Sequence, residues 1–226
     1  MQRFAGFSKN AFKFLGDLAK HNEKKWFDAH RDRYEDELLE PSKVFVDTMG
    51  GHLRSIAPNI IAEPRVNGSI RRINRDVRFS KDKRPYKDHW DFHFPDGDTK
   101  TCSTSSYMLR LTGSRVYVVA GSHEFSKPAL KKFRDAIEDG GGVELDKIVK
   151  KLRKSGYEIG RVGYKQTPRG YSADNPHAEY LLFSGLYAAH SGPVPKEAHT
   201  SKFAGWCMGH YKKLRPLHEW ITSNLA

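Results

Sequence analysis

The chain has 226 residues, with 39 Lys and Arg against 27 Asp and Glu (a formal net charge of +12), 38 % hydrophobic and 12 % aromatic residues. That is enough chain and apolar content for a buried core, and it excludes wholesale disorder. Two cysteines, Cys102 and Cys207, exclude a disulfide-dense scaffold and lack the paired spacing of a zinc or redox motif. No apolar run approaches the ~20 residues of a bilayer span, so the expectation is a soluble protein of a reducing, cytoplasmic compartment with no membrane partner.

The stretch MQRFAGFSKNAFKFLGDLAKH has the pattern of an amphipathic helix and not of a secretory signal. Ser8 is placed to cap it, ahead of Phe12, Leu15, Leu18 and Ala19 at helical spacing. Asn22 is expected to end that helix and cap the next, with Trp26 in the core. Phe27, Tyr34 and Leu38 then share one face, and Pro41 suits the first turn of a further helix through Val44, Phe45 and Thr48.

The period changes in the middle of the chain. Ile73, Val77 and Phe79 alternate as on a half-buried strand, Arg75 shares their parity, and Arg72, Asn74, Asp76 and Arg78 face the other way. Phe79 and Tyr86 are expected to pack and not to stack on a base. Residues 89–94 alternate again, His89, Asp91 and His93 on one side and Trp90, Phe92 and Phe94 on the other. Tyr107, Leu109 and Leu111 mark a third strand, and Thr112-Gly113-Ser114 a hairpin into Val116–Val119.

Ser126-Lys127-Pro128 starts a helix carrying Leu130, Phe133 and Ile137, which Gly140-Gly141-Gly142 stops. Leu145, Ile148, Val149 and Leu152 face inward on the next. A strand is expected over 157–165, then a turn at Thr167–Gly170. Asp174-Asn175-Pro176 opens a predicted helix with Leu181, Leu182 and Leu186. A last helix runs from Ser201 through Phe203, Cys207, Met208 and Tyr211, with Pro216 kinking or restarting it before Trp220 and Ile221. Helices first, a mostly antiparallel sheet in the middle and helices last make an α+β chain, expected as a single domain over 1–226.

The charge is uneven. Residues 1–64 carry ten basic and ten acidic side chains, whereas 65–87 carry nine basic against Asp76 and Asp82. A strand with its following turn would bring Arg72, Arg75, Arg78, Ser80, Lys81, Lys83 and Lys87 together, and Arg169 could add a further guanidinium. Guanidinium forks, ammonium groups and a hydroxyl meeting at one place suit a phosphate or carboxylate. The same residues could instead form an internal ion-pair network. His89, Asp91 and His93 on one strand face could supply acid–base catalysis or hold a divalent metal, or could be an ordinary polar face. The chain lacks a Walker-type phosphate loop, a dinucleotide fingerprint, a G-x-S-x-G elbow and an H-E-x-x-H pair, which disfavours the common enzymes built on them.

The stretch from Arg75 to Lys87, RDVRFSKDKRPYK, resembles the signature of the family catalogued as domain of unknown function 2461. Phe14-Leu15, His21-Asn22, Trp26-Phe27, Arg33-Tyr34 and Pro41 upstream, and Arg134–Ile137, Pro168–Tyr171 and Pro176 downstream, extend the likeness over the chain. Gly121-Ser122-His123 departs from a more glycine-rich family stretch. The resemblance implies a compact α+β unit and directs attention to the Arg/Lys segment, but names no activity or cofactor. Three readings stay open: an anion-binding domain, an enzyme acting on a small anionic substrate, and a nucleic-acid-associated or structural protein.

Overall fold

A computed structural model describes residues 3–97 and 105–225, and Cys102 lies outside the described residues. Phe4 and Phe7 are buried ahead of the first helix, α1 (Lys9–Lys20), which starts where Ser8 Oγ accepts the Ala11 N–H at 3.0 Å. Helices α2 (Lys24–Ala29) and α3 (Arg31–Arg33) follow, and a π-type turn (Tyr34–Leu39) leads from α3 into α4 (Glu40–Leu53), with Pro41 in its first turn. A five-stranded antiparallel sheet takes the order β1 (His89–Pro95), β2 (Ser106–Thr112), β3 (Arg115–Ser122), β5 (Phe183–Pro193) and β4 (Glu158–Val162). Between β3 and β4 stand α5 (Lys127–Ala136) and α6 (Gly142–Lys154); the chain turns between them at Gly140, whose φ of 96° is open to glycine at little cost. The short α7 (Ala178–Leu181) precedes β5, and α8 (Phe203–Leu225) closes the chain, running on through Pro216.

The contacts resolve into two compact units, and β2, β3, β5 and α8 each contribute residues to both. One holds residues 3–94, 108–118 and 191–209 of the described chain. Its core is aromatic: Phe7, Phe45, Phe92 and Phe203 meet with ring centroids 4.9–6.1 Å apart. Trp90, Phe92 and Phe94 are fully buried, as the alternation along β1 requires, and each such side chain contributes about 1.5–3 kcal/mol by leaving water. The Trp90 indole N–H is not stranded there, because it donates to Ser42 Oγ at 2.8 Å. The other unit contains α5, α6, β4, α7 and the C-terminal part of α8. Phe125, Phe133 and Trp220 pack there, ring centroids 5.1 and 5.8 Å apart.

Four expectations are corrected. Residues 70–79 do not form a strand: an isolated bridge joins Ile70 to Phe92, with the Arg71 N–H donating to Asp91 O at 2.9 Å, and the chain then folds back on itself. The helix predicted from Asp174 through Leu186 is only one turn, after which the Leu- and Ala-rich run enters β5. The reason is its central place in the sheet: β5 lies between β3 and β4, and a side chain at Gly185 would collide with the carbonyl of His123. Tertiary pairing here overrides helix propensity.

Asn22 is not a helix cap. Its amide pairs with the backbone of Tyr86, donating to the carbonyl at 3.0 Å and accepting from the N–H at 2.9 Å, while Tyr86 stacks on Phe27 at 4.3 Å. Trp26 is only half-buried, stacked on His30 at 4.2 Å. Asn22→Ala removes both hydrogen bonds and leaves a part-buried peptide unit unsatisfied. The expected loss is about 2 kcal/mol, read by urea denaturation, with faster exchange of the Tyr86 amide. A loss within experimental scatter of zero would show that Phe27 alone holds this segment.

Candidate functional site: a basic finger and the cluster at its base

Residues 71–87 form a finger. Its arms run antiparallel, with Lys87 N–H donating to Ile73 O and Arg75 N–H to Pro85 O, both at 2.8 Å, and a bridge between Asn74 and Tyr86. Beyond Pro85 two Asp-x-Arg clips shape the tip. Asp76 Oδ1 accepts the Arg78 backbone N–H at 3.2 Å and its Nε at 3.0 Å, and Arg78 Nη2 reaches Asp76 Oδ2 at 2.6 Å. Asp82 repeats the pattern with Arg84, at 3.0, 3.1 and 2.8 Å. These local bonds satisfy the backbone without a ladder partner, which is why the segment leaves the sheet despite its alternating pattern. Arg75 ties the two sides together, Nη1 to Asp82 Oδ2 at 2.5 Å and Nη2 to Ser80 Oγ at 3.5 Å. The arginines hold both carboxyls below the usual range: the Arg84 bonds and then Arg75 for Asp82, the Arg78 bonds for Asp76.

The expected anion set therefore divides. Arg75 and Arg78 are matched by carboxylates within the finger, and Ser80 faces Arg75. Lys83 donates to the Val77 carbonyl at 3.0 Å. Among the described residues, no side-chain hydrogen bond or ion pair is formed by Arg71, Arg72, Lys81 or Lys87, of which all but the half-buried Lys87 are exposed. Arg169 is exposed in a turn of the other unit. Phe79 does not pack: it stands 95 % exposed at the fingertip, with the Arg78 guanidinium 5.8 Å from its ring centre.

At the base of the finger the chain enters β1, and here the residues His89, Asp91 and His93 meet other charges. The Asp91 side chain is only 8 % exposed and receives Arg110 from the neighbouring strand, Nε at 2.7 Å and Nη2 at 3.0 Å, while His89 Nε2 lies 3.3 Å away. Burial alone pushes this carboxyl up, but the His89 and Arg110 bonds outweigh burial and hold it at about 2. Asp91 is thus a fixed anion that positions Arg110 and His89, with little capacity to accept a proton near neutral pH. His89 Nδ1 lies 2.8 Å from Asp88, whose carboxyl this contact lowers. His93 is pulled down to about 4 by burial and the Arg71 charge, against the opposing effect of Asp91. Lys87 is lowered by burial first; Asp91 opposes this, and Arg110, Arg71 and Arg72 add to it. Three guanidinium groups are thus close enough to act electrostatically on one amine, around one buried carboxylate.

Arg110 and His89 also border a cavity of about 550 Å³ whose other walls include Ala19 and Gly16 of α1, Gly113 and Ser114 of the β2–β3 hairpin, and Tyr117. Gly113 permits this wall, since a Cβ there would lie 2.8 Å from the Gly16 Cα. Among the described residues no group of three or more His, Cys, Asp or Glu is placed to hold a metal ion. Asp91 is already occupied by Arg110, and His93 faces a cation.

Arg110 lies outside the residues that the sequence singles out, and Arg71 counts there only as one of the basic residues of 65–87. The one available signal for Arg110 was parity, since it alternates with Leu109 and Leu111 and so shares the polar face. A second polar group lies in the other unit: His218 Nδ1 is 2.8 Å from Ser105 Oγ and Nε2 is 2.8 Å from Asp96 Oδ2. Ser105 is fully buried, so the alignment serves as an internal network, with no nucleophile presented to solvent.

No curated protein matches the chain. A family model described as a conserved hypothetical protein, domain of unknown function 2461, matches residues 10–220. The resemblance read from RDVRFSKDKRPYK is thereby shown, and the chain belongs to that family.

Proposed function

We propose that the chain acts as a single α+β domain that binds an anion, a phosphate or carboxylate group, in the cluster of Arg71, Arg72, Lys87, Arg110 and His89 at the base of the finger. The supporting observation is the charge imbalance around Asp91. Its oxygens are taken by Arg110 and His89, while Lys87, Arg71 and Arg72 have no ion-pair partner among the described residues. Gathering like charges costs energy unless an anion joins them, and a half-buried ammonium with a lowered pKa gains most from that anion. Arg110 borders the adjoining cavity and uses only Nε and Nη2 on Asp91, so a small molecule with one anionic end fits the arrangement.

Pyrophosphate and citrate, titrated by calorimetry at low ionic strength (about 20 mM), test this. Binding is expected, with Lys87→Met weakening it about 10- to 100-fold, the worth of one charge-assisted contact. Absence of heat with both ligands, or an unchanged affinity in Lys87→Met, would overturn the assignment.

A further inference from the structure

The finger carries a feature that a small-anion site does not use. Phe79 is 95 % exposed, although removing such a ring from water is favourable, and the two clips hold the tip in shape without its help. Its neighbours are cationic. From residue 71 to residue 87 the finger has eight basic side chains against Asp76 and Asp82. Those left without an acidic partner among the described residues lie along its length, Arg71, Arg72 and Lys87 at the base and Lys81 and Lys83 near the tip. The paired arms span about four residues, or roughly 13 Å at 3.3 Å per residue. A single phosphate cannot satisfy charges spread so far, whereas a nucleic-acid strand presents one phosphate after another along its length.

We infer that the finger binds single-stranded nucleic acid, with Phe79 stacking on a base and Lys81, Lys83 and the basal cations following the backbone phosphates. This rests on the anion site proposed above and names the class of ligand that would fill it. An apolar partner surface or a bilayer is less well matched. Among the described residues of its own unit no other large apolar side chain is exposed, so within that unit Phe79 presents one π-face and no apolar patch. A lone aromatic ring beside a guanidinium, within a row of unpaired amines, is how strand-binding surfaces combine stacking with phosphate attraction. A duplex keeps its bases stacked inside and offers nothing to the ring.

The test uses the full chain and fluorescein-labelled dodecathymidylate and dodecauridylate, followed by anisotropy, with pyrophosphate calorimetry in parallel. Both strands are expected to bind more tightly than a duplex of the same length, with a log–log salt slope of about −2 to −3 for three to four phosphates. Phe79→Ala is expected to lose about 10- to 100-fold in strand affinity, while pyrophosphate affinity stays at the wild-type value. The ring is 95 % exposed, so this variant is expected to fold. Lys81→Ala is expected to flatten the salt slope by about 0.7. Three results overturn the inference: no strand binding at low salt, strand affinity unchanged in Phe79→Ala, or capture by phosphatidylserine vesicles without strand binding. If pyrophosphate binds in any of these cases, the anion site stands alone; if neither ligand binds, both proposals fall.

Discussion

Asp91→Ala is expected to cost about 3–5 kcal/mol of folding stability, the range for removing one partner of a buried ion pair. Asp91 is one of the few buried charged side chains, and its two oxygens hold Arg110 and His89. Without it, Arg110, Lys87, Arg71 and Arg72 repel one another with no fixed anion at their centre. Asp91→Asn keeps the shape and one acceptor but not the charge, and should fall between. The anion reading adds a second expectation that a simple packing role would not give: phosphate should stabilise Asp91→Ala more than it stabilises the wild type, because it supplies the missing negative charge. Urea denaturation with and without phosphate measures both. A loss below about 1 kcal/mol would show that the cluster is too solvated for this account.

Stability is expected to fall between about pH 6.5 and pH 4, ahead of the carboxylate range. The folded chain holds His93 and His210 at about 4, His93 by burial and Arg71, His210 by burial, His190 and Lys213. Burial, with Lys213 adding, also lowers His190; in His218 it prevails over the opposing Asp96. Each is a group whose folded pKa lies below its unfolded value of about 6.5. Such a group contributes stability in full above the unfolded pKa, and that contribution is lost as pH falls through the folded one. At pH 5 unfolding should therefore take up protons through His93 and His210, and stability should decline as pH falls towards 4. Asp91, held at about 2, adds its loss lower still, as pH falls from about 4 towards 2. Denaturation across the pH range checks this. His93→Gln with His210→Gln should flatten the upper limb; a stability independent of pH between 7 and 5 would contradict the burial of these rings.

Much of the frame could be read from the residues. Trp90, Phe92 and Phe94 announced β1 and its buried face, Ser8 and Ser126 announced the starts of α1 and α5, and the triple glycine marked the turn before α6. The same parity that buried the aromatics placed His89, Asp91 and His93 together. What could not be read was pairing. Nothing local shows that Arg110 lies beside Asp91, because strand register is settled by tertiary contact. The finger misled for a related reason. Ile73, Val77 and Phe79 alternate as in a strand, but Asp76 and Asp82 bind their own backbone two residues on, and that competition is decided by geometry that composition does not carry. For β5 the run of Leu and Ala favoured a helix, and only the close approach of His123 to Gly185 explains the strand.

The basic signature thus has two parts with different fates. Arg75, Arg78 and Arg84 are consumed in shaping the finger, whereas Arg71, Arg72 and Lys87 remain as surplus charge beside Asp91 and Arg110. Crystals grown in selenate, with anomalous data locating the anion, test this division most directly. Selenate is expected against Lys87 and Arg110 at the base of the finger, with Arg75 and Arg78 still bound to Asp82 and Asp76. Selenate seated on Arg75 or Arg78 with their carboxylates displaced, or a base left empty while other surfaces fill, would contradict it.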